Sequence, residues 1–196
     1  MTGEGGFLAA DAAVAATAAK YGSDGRHGRH VAGLARELFE AFTPLHMLPE
    51  RYAAILGHAA ELHDVGYFVA AKGHHRHSAY ITLHDEEMRD YPEEDRGLLA
   101  GVVRNHRKRP RPAPKDWPKE QRQALAWLSA LLRVADALDY EHTQAARIAQ
   151  VLPHGPGFSI AVGGLDPRAL GVRLAGKAEL LAALCGGPIR FTGAQR

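Results

Sequence analysis

Two imidazoles and two carboxylates, His27, His63, Asp64 and Asp136, are the side chains of this chain best placed to do chemistry. His63 and Asp64 stand side by side at the end of an apolar helical run, within Glu61-Leu62-His63-Asp64-Val65-Gly66. Neutral imidazole and carboxylate both suit a hard-to-borderline divalent metal. Neighbours on a helix point about 100° apart, which still lets both converge on one ion in a pocket. The doublet alone is a weak signal, because a histidine on an apolar face is more often a satisfied core residue. The other two residues change the balance. His27 precedes Val31 by four and Leu34 by seven, so it shares their buried face. Asp136 follows Leu132 by four and Leu128 by eight, where an apolar residue is expected. A carboxylate on a core face is costly unless it is paired or bound to metal. Two imidazoles and two carboxylates around one ion would leave open positions for water and a substrate oxygen.

The elements that must position these residues can be read from period and punctuation. A helix is expected from Phe7 to Ala19, after a loose glycine-rich start over residues 1–6. A second, capped by Ser23 or Asp24, carries Val31, Leu34, Leu38, Phe39 and Phe42 and ends at Thr43-Pro44. A third starts at Pro49, is closed by His63 and Asp64, and is broken by Gly66. The stretch from Lys72 to Ser78 reads as a loop with Ser78 capping a fourth helix. Tyr91-Pro92-Glu93-Glu94 opens a fifth that runs to His106. Residues 107–118, with four prolines, exclude regular helix. One long helix then spans Lys119 to about Tyr140. Beyond about residue 145, Ile148–Leu152, Phe158–Val162, Val172–Leu174 and Ile189–Thr192 read as short strands, with a short helix at Ala178–Leu184. The expected architecture is mainly α, a helical bundle over 1–145 with a small C-terminal α/β appendage over 146–196.

Bulk properties fit one such body. The chain has 196 residues, 46% hydrophobic and 23% charged, an ordinary balance for a globular domain. The net charge of +2 carries no global nucleic-acid or membrane signal. The densest basic run, Arg104 to Lys115, is interleaved with proline rather than aromatics, so no specific nucleic-acid role is expected. The 12 histidines are dispersed, unlike a tag. Cys185 is the single cysteine, which excludes an internal disulfide and fits a reducing cytoplasm. No basic residue precedes Lys20, so a charged signal-peptide start is missing, and no apolar stretch reaches membrane-spanning length.

Three segments together resemble the HD superfamily of metal-dependent phosphohydrolases. They are His27-Gly-Arg-His-Val31, Leu62-His63-Asp64-Val-Gly66 and Leu132-Arg-Val-Ala-Asp136-Ala-Leu-Asp139. Two more, Gly73-His-His75-Arg-His77-Ser78-Ala-Tyr80 and Val103-Arg-Asn-His106-Arg107-Lys108, are similar to the C-terminal HD-like domain of the exopolyphosphatase/guanosine pentaphosphate phosphatase family. Full-length members of that family carry an actin-like N-terminal region for which 196 residues leave no room. Their HD-like domain often lacks the metal ligands, whereas His27, His63, Asp64 and Asp136 are all present here.

The resemblance implies a metal-dependent phosphohydrolase of cytoplasmic location, acting on a phosphate ester or anhydride through a metal-activated water. One or two divalent ions (Mn, Mg, Fe, Co, Ni or Zn) would sit on His27, His63, Asp64 and Asp136. His75 and His106 match the positions that bind a second ion with Asp64 bridging; failing that, they would contact phosphate or donate a proton to the leaving group. Asp64, His75 and His106 are thus the catalytic candidates. Lys72, Arg76, Arg107 and Lys108, each beside a ligand motif, are candidates for binding substrate phosphate. Arg133 could orient a carboxylate or pair with Asp139. A nucleotide is the expected substrate and short polyphosphate the runner-up. The rival class is a nucleotide- or polyphosphate-binding regulatory module with little turnover. Nothing fixes the assembly; a homodimer is the candidate state.

Overall fold

The computed structural model describes the backbone of residues 4–194, with side chains except at 4–7, 167–170, 172 and 173. Among the described residues, seven α-helices and one three-stranded sheet form a mainly α fold with a small C-terminal α/β part. The helices are α1 (Glu4–Lys20), α2 (Gly25–His46), α3 (Arg51–Leu62), α4 (His74–His84), α5 (Glu93–Asn105), α6 (Lys119–Leu138) and α7 (Pro167–Cys185). The strands are β1 (Arg147–His154), β2 (Gly157–Gly163) and β3 (Ile189–Gly193). The expected start of the chain lies partly outside the described residues; from Glu4 it is already helical. No described helix is long and apolar enough to cross a membrane.

The apolar stripes of α2, α3, α5 and α6 meet in one core, where Leu38, Phe39, Phe42, Leu56, Leu98, Leu99, Leu128 and Leu132 are fully buried. Each such side chain contributes roughly 1.5–3 kcal/mol by leaving water. Asp24 caps α2, its Oδ1 accepting from the N–H groups of Arg26 and His27. Close packing of α2 on α3 depends on Gly28: a Cβ there would stand 3.2 Å from the Cα of Glu61. That approach brings His27 to the end of α3.

Three expectations about helix limits are corrected. First, α2 does not stop at Thr43-Pro44 but reaches His46, where Met47 closes it in the left-handed region. Proline within the last turn removes little, and the extra turn buries His46 against Phe39 and Trp127. Second, residues 74–78 are helix rather than loop. Gly73, at φ 85°, turns the chain so that α4 begins at His74, and Ser78 lies inside it. Ser78 is not a cap: its Oγ donates to the carbonyl of His63 at 2.6 Å and accepts from the N–H of Gly66 at 2.9 Å. Third, Val172–Leu174 is helical. The 3.6 period of buried Leu174, Ala178 and Leu181 outweighs the local strand-like run, and Pro167 marks the true start.

In the sheet, β1 and β2 form an antiparallel pair, Leu152 opposite Ser159, while β2 and β3 run parallel, Ile160 opposite Phe191. Parallel strands need a crossover, and α7 is that crossover, packed on α6.

Two predictions follow from these contacts. A Cβ on Gly66 would lie 2.2 Å from the carbonyl oxygen of His74 and 2.4 Å from the N of Ser78, both backbone atoms. Gly66→Ala should therefore destabilise by roughly 3 kcal/mol. Ser78→Ala, which strands a buried N–H and a buried carbonyl, should cost about 1–3 kcal/mol; urea unfolding reads both. The second concerns His46, whose Nε2 donates to the carbonyl of Phe39 while Nδ1 accepts from the N–H of Leu48. Only the neutral ring can do both, and burial holds its pKa below the ordinary value. Its contribution is therefore complete above about pH 6.5 and lost as pH falls through the lowered folded pKa. Between about pH 7 and 5 the urea midpoint of the parent should fall more steeply than that of His46→Gln.

Candidate metal centre

Five helix ends deliver polar side chains to one point. His27 comes from the first turn of α2, and His63 and Asp64 from the end of α3. His74 opens α4, His106 follows the last turn of α5, and Asp136 lies in the last turn of α6. The three aliphatic-face residues His27, His63 and His106 are almost wholly buried, as is His74.

The orientation of the rings is set by their Nδ1 atoms. Nδ1 of His63 lies 2.7 Å from the carbonyl of Ala60, that of His106 2.7 Å from the carbonyl of Val103, and that of His74 3.1 Å from the carbonyl of Ala71. Nδ1 of His27 lies 2.8 Å from Oδ2 of Asp139. Carbonyl and carboxylate oxygens only accept, so each Nδ1 carries the hydrogen and donates it. All four Nε2 atoms therefore face the cluster. Those of His27 and His63 are buried and make no hydrogen bond.

The carboxylates sit between these nitrogens. His63 Nε2 is 3.4 Å from Oδ2 of Asp64 and 3.6 Å from Oδ1 of Asp136. His27 Nε2 is 3.8 Å from the same Oδ1 of Asp136. On the other side, Oδ1 of Asp64 is 3.3 Å from His74 Nε2 and 3.8 Å from His106 Nε2. Two groups of possible ligand atoms result, His27/His63/Asp64 and Asp64/His74/His106, each with its atoms within 4.8 Å of one another. Asp64 belongs to both.

The second group corrects one residue of the sequence reading. His74, rather than His75, meets Asp64 and His106. With α4 starting at His74, the next residue points about 100° away, into a buried setting where its Nδ1 is unpartnered. Burial and the charge of Arg104 push His75 down to about 4.

Electrostatics follow the geometry. Burial lowers the pKa of His27, and Asp139 only partly opposes it. Burial likewise holds His74 below the ordinary value and His106 well below it. For His63 burial acts downwards too, but Asp64 and Asp136 prevail and raise it to about 9. Burial would raise Asp136, yet His63 and Lys177 keep it well below the usual carboxylate range.

A cavity of about 440 Å³ opens onto the cluster. Arg107 and Lys108 line it, and Arg107 rests against the ring of His74, 3.3 Å from its nitrogens. Lys72 and Arg76 are exposed and do not line it; Arg76 folds back over Gly73. Arg133 does not pair with Asp139. Its Nη1 donates to the carbonyls of Asn105 and Lys108 and so holds the turn that carries Arg107.

Several residues of the site escaped the sequence reading. Lys177, on α7, bonds Oδ2 of Asp136 at 2.8 Å and lines the cavity. His142 stacks on His27 at 3.7 Å, with its Nδ1 3.1 Å from Oδ2 of Asp24. Tyr67 stacks on His74 at 3.9 Å. Asp139 had a usable signal: it follows Asp136 by three residues, one turn along a core face. Lys177 had none, since only the β2–α7–β3 crossover places it.

Fold and site define a helical protein with a buried histidine–aspartate cluster beneath a basic cavity. The chain belongs to the Ppx/GppA phosphatase family, whose domain III model matches residues 10–154. The matched span takes in His27, His63, Asp64, His74, His106 and Asp136 and stops short of Lys177. Membership makes the chain phosphatase-related.

The Lys177–Asp136 pair gives the prediction here. Lys177→Met removes a charged hydrogen bond from a mostly buried carboxylate. It should destabilise the metal-free protein by about 1–2 kcal/mol and speed proteolytic cleavage of α7, whereas Lys177→Arg should retain most of both properties.

Proposed function

We propose that the protein is an HD-type metal-dependent phosphohydrolase whose substrate is a phosphate ester or anhydride, a nucleotide first and short polyphosphate second. The observation that carries this reading is the common orientation of the four imidazoles, each donating from Nδ1 and turning Nε2 toward Asp64 or Asp136. Hydrogen-bonded Nδ1 with free Nε2 is how protein imidazoles are prepared for metal. Buried, unpartnered Nε2 atoms beside carboxylates are otherwise unfavourable. The donor set fits a divalent cation held by His27, His63, Asp64 and Asp136, with His74, His106 and Asp64 able to hold a second.

Such a cation would supply Lewis acidity, polarising a phosphoryl oxygen and lowering the pKa of bound water. The protein's own residues do the rest. Asp64 directs its two oxygens to the two ligand groups and so fixes their separation. Lys177 occupies Oδ2 of Asp136 and leaves Oδ1 facing the histidines. Asp139 holds the ring of His27. Arg107, Lys108 and Lys177 neutralise charge on the phosphoryl group as the water oxygen bonds to phosphorus and the bond to the leaving oxygen breaks. His74 and His106, held neutral at physiological pH, suit ligation or proton acceptance better than proton donation.

A second reading, binding without turnover, draws on two contacts. Nε2 of His74 lies only 3.2 Å from Nε2 of His106, and Lys177 is already paired with Asp136. One assay separates the readings. Chelator-treated protein is supplied in turn with Mn, Mg, Fe, Co, Ni or Zn and given a panel of nucleotides, simple phosphate esters and short polyphosphate. Metal-dependent phosphate release that falls roughly a hundredfold or more in Asp64→Ala is the expected result. Tight ligand binding with no release under any metal would establish the binding module instead.

A further inference from the structure

The proline-rich segment between α5 and α6 does more than connect them. Between it and α6 lies a cleft of about 510 Å³, within the ordinary range for small-molecule sites. Three cations, Arg111, Lys115 and Arg122, line it, and among the described residues its lining contains no acidic one. Among the described residues none of the three has a carboxylate within ion-pair distance. Leu125, Ala126 and Leu180 supply an apolar wall. Ser129 lies in the lining, is fully buried, and its hydroxyl makes no hydrogen bond. An unpaired buried hydroxyl is a standing cost that a ligand oxygen would remove.

The cleft is also preformed. Asn105 clasps the loop at both backbone groups of Arg111, its Nδ2 donating to the carbonyl at 3.0 Å and its Oδ1 accepting from the N–H at 2.9 Å. Pro110 and Pro112 fix φ on either side of that residue. A site held in advance loses little entropy on binding. Three unpaired cations, an apolar wall and one buried hydroxyl match a molecule with an anionic end and a compact apolar body.

From these features we propose that the cleft between loop 107–118 and α6 is a second ligand site, for a small phosphate-bearing molecule such as a nucleoside monophosphate. It is separate from the histidine–aspartate cavity and does not depend on what that cavity does. Arg111, Lys115 and Arg122 take the phosphate, Ser129 bonds a polar atom of the body, and Leu125 and Leu180 cover its apolar surface.

The test uses the full chain, chelator-treated and carrying Arg107→Ala and Lys108→Ala to weaken phosphate binding on the metal side, titrated with AMP by calorimetry. Saturable binding with one AMP per chain is expected. Adding Arg122→Glu, at an exposed helical position, should weaken it at least about tenfold, as loss of a charged phosphate contact does. Ser129→Ala should weaken AMP binding while raising the melting temperature of the ligand-free protein, a pairing that a purely structural serine would not give. Inorganic phosphate should bind more weakly than AMP. No saturable binding, an AMP affinity unchanged by Arg122→Glu and Ser129→Ala together, or inorganic phosphate binding as tightly as AMP would each overturn the proposal.

Discussion

The structure depends on one hydrogen bond made four times: an imidazole Nδ1–H donated to an oxygen of its own neighbourhood. Val103, Ala60 and Ala71 supply backbone carbonyls, each three residues before the histidine it holds, and Asp139 supplies a carboxylate. The i−3 carbonyl is available only because each histidine stands at a helix end, where the last turn leaves its acceptors unused and the loop before a helix has acceptors to spare. The requirement that rings converge is therefore also a requirement that helix ends converge. Gly28 and the Ser78–Gly66 clasp meet it, one by letting α2 close on α3 and the other by tying α4 to the turn after His63.

Burying that many titratable groups together is tolerable because their charges oppose each other. Burial alone would keep all four rings neutral. Between the two carboxylates His63 takes the opposite course and is raised to about 9. Asp136 is in turn stabilised as an anion by His63 and by Lys177. The cluster thus holds a proton on His63, between Asp64 and Asp136. Arg107 and Lys108 line the same cavity as Asp64 and Asp136, so cationic and anionic side chains face one space.

Much of this was legible in the sequence because helical period reports burial. His27, four and seven residues before Val31 and Leu34, and Asp136, four and eight after Leu132 and Leu128, interrupt apolar stripes, and that anomaly alone places them on core faces. His63 and Asp64 were legible from their position before a glycine. The choice between His74 and His75 was not, because phase means nothing until a helix has a start. Gly73, in the left-handed region, supplies that start; read as a loop, residues 72–78 give neither histidine a direction. Val172–Leu174 misleads for the opposite reason. Three residues of strand-like composition mask a stripe whose other members, Ala178 and Leu181, lie further along the same helix.

Lys177 shows where reading by local pattern ends. Its contact with Asp136 spans 41 residues and depends on the direction of two strands. Had β3 paired antiparallel with β2, a short turn would have sufficed and no helix would need to cross. Parallel pairing requires the crossover, the crossover is α7, and α7 packs on α6, which brings Lys177 to Asp136. The family match ends at residue 154, within β1, so the helix that supplies Lys177 lies beyond the matched span. The C-terminal α/β part is therefore structurally joined to the centre of the helical body: strand direction there decides whether Asp136 has its partner, and through Asp136 which oxygen faces His27 and His63.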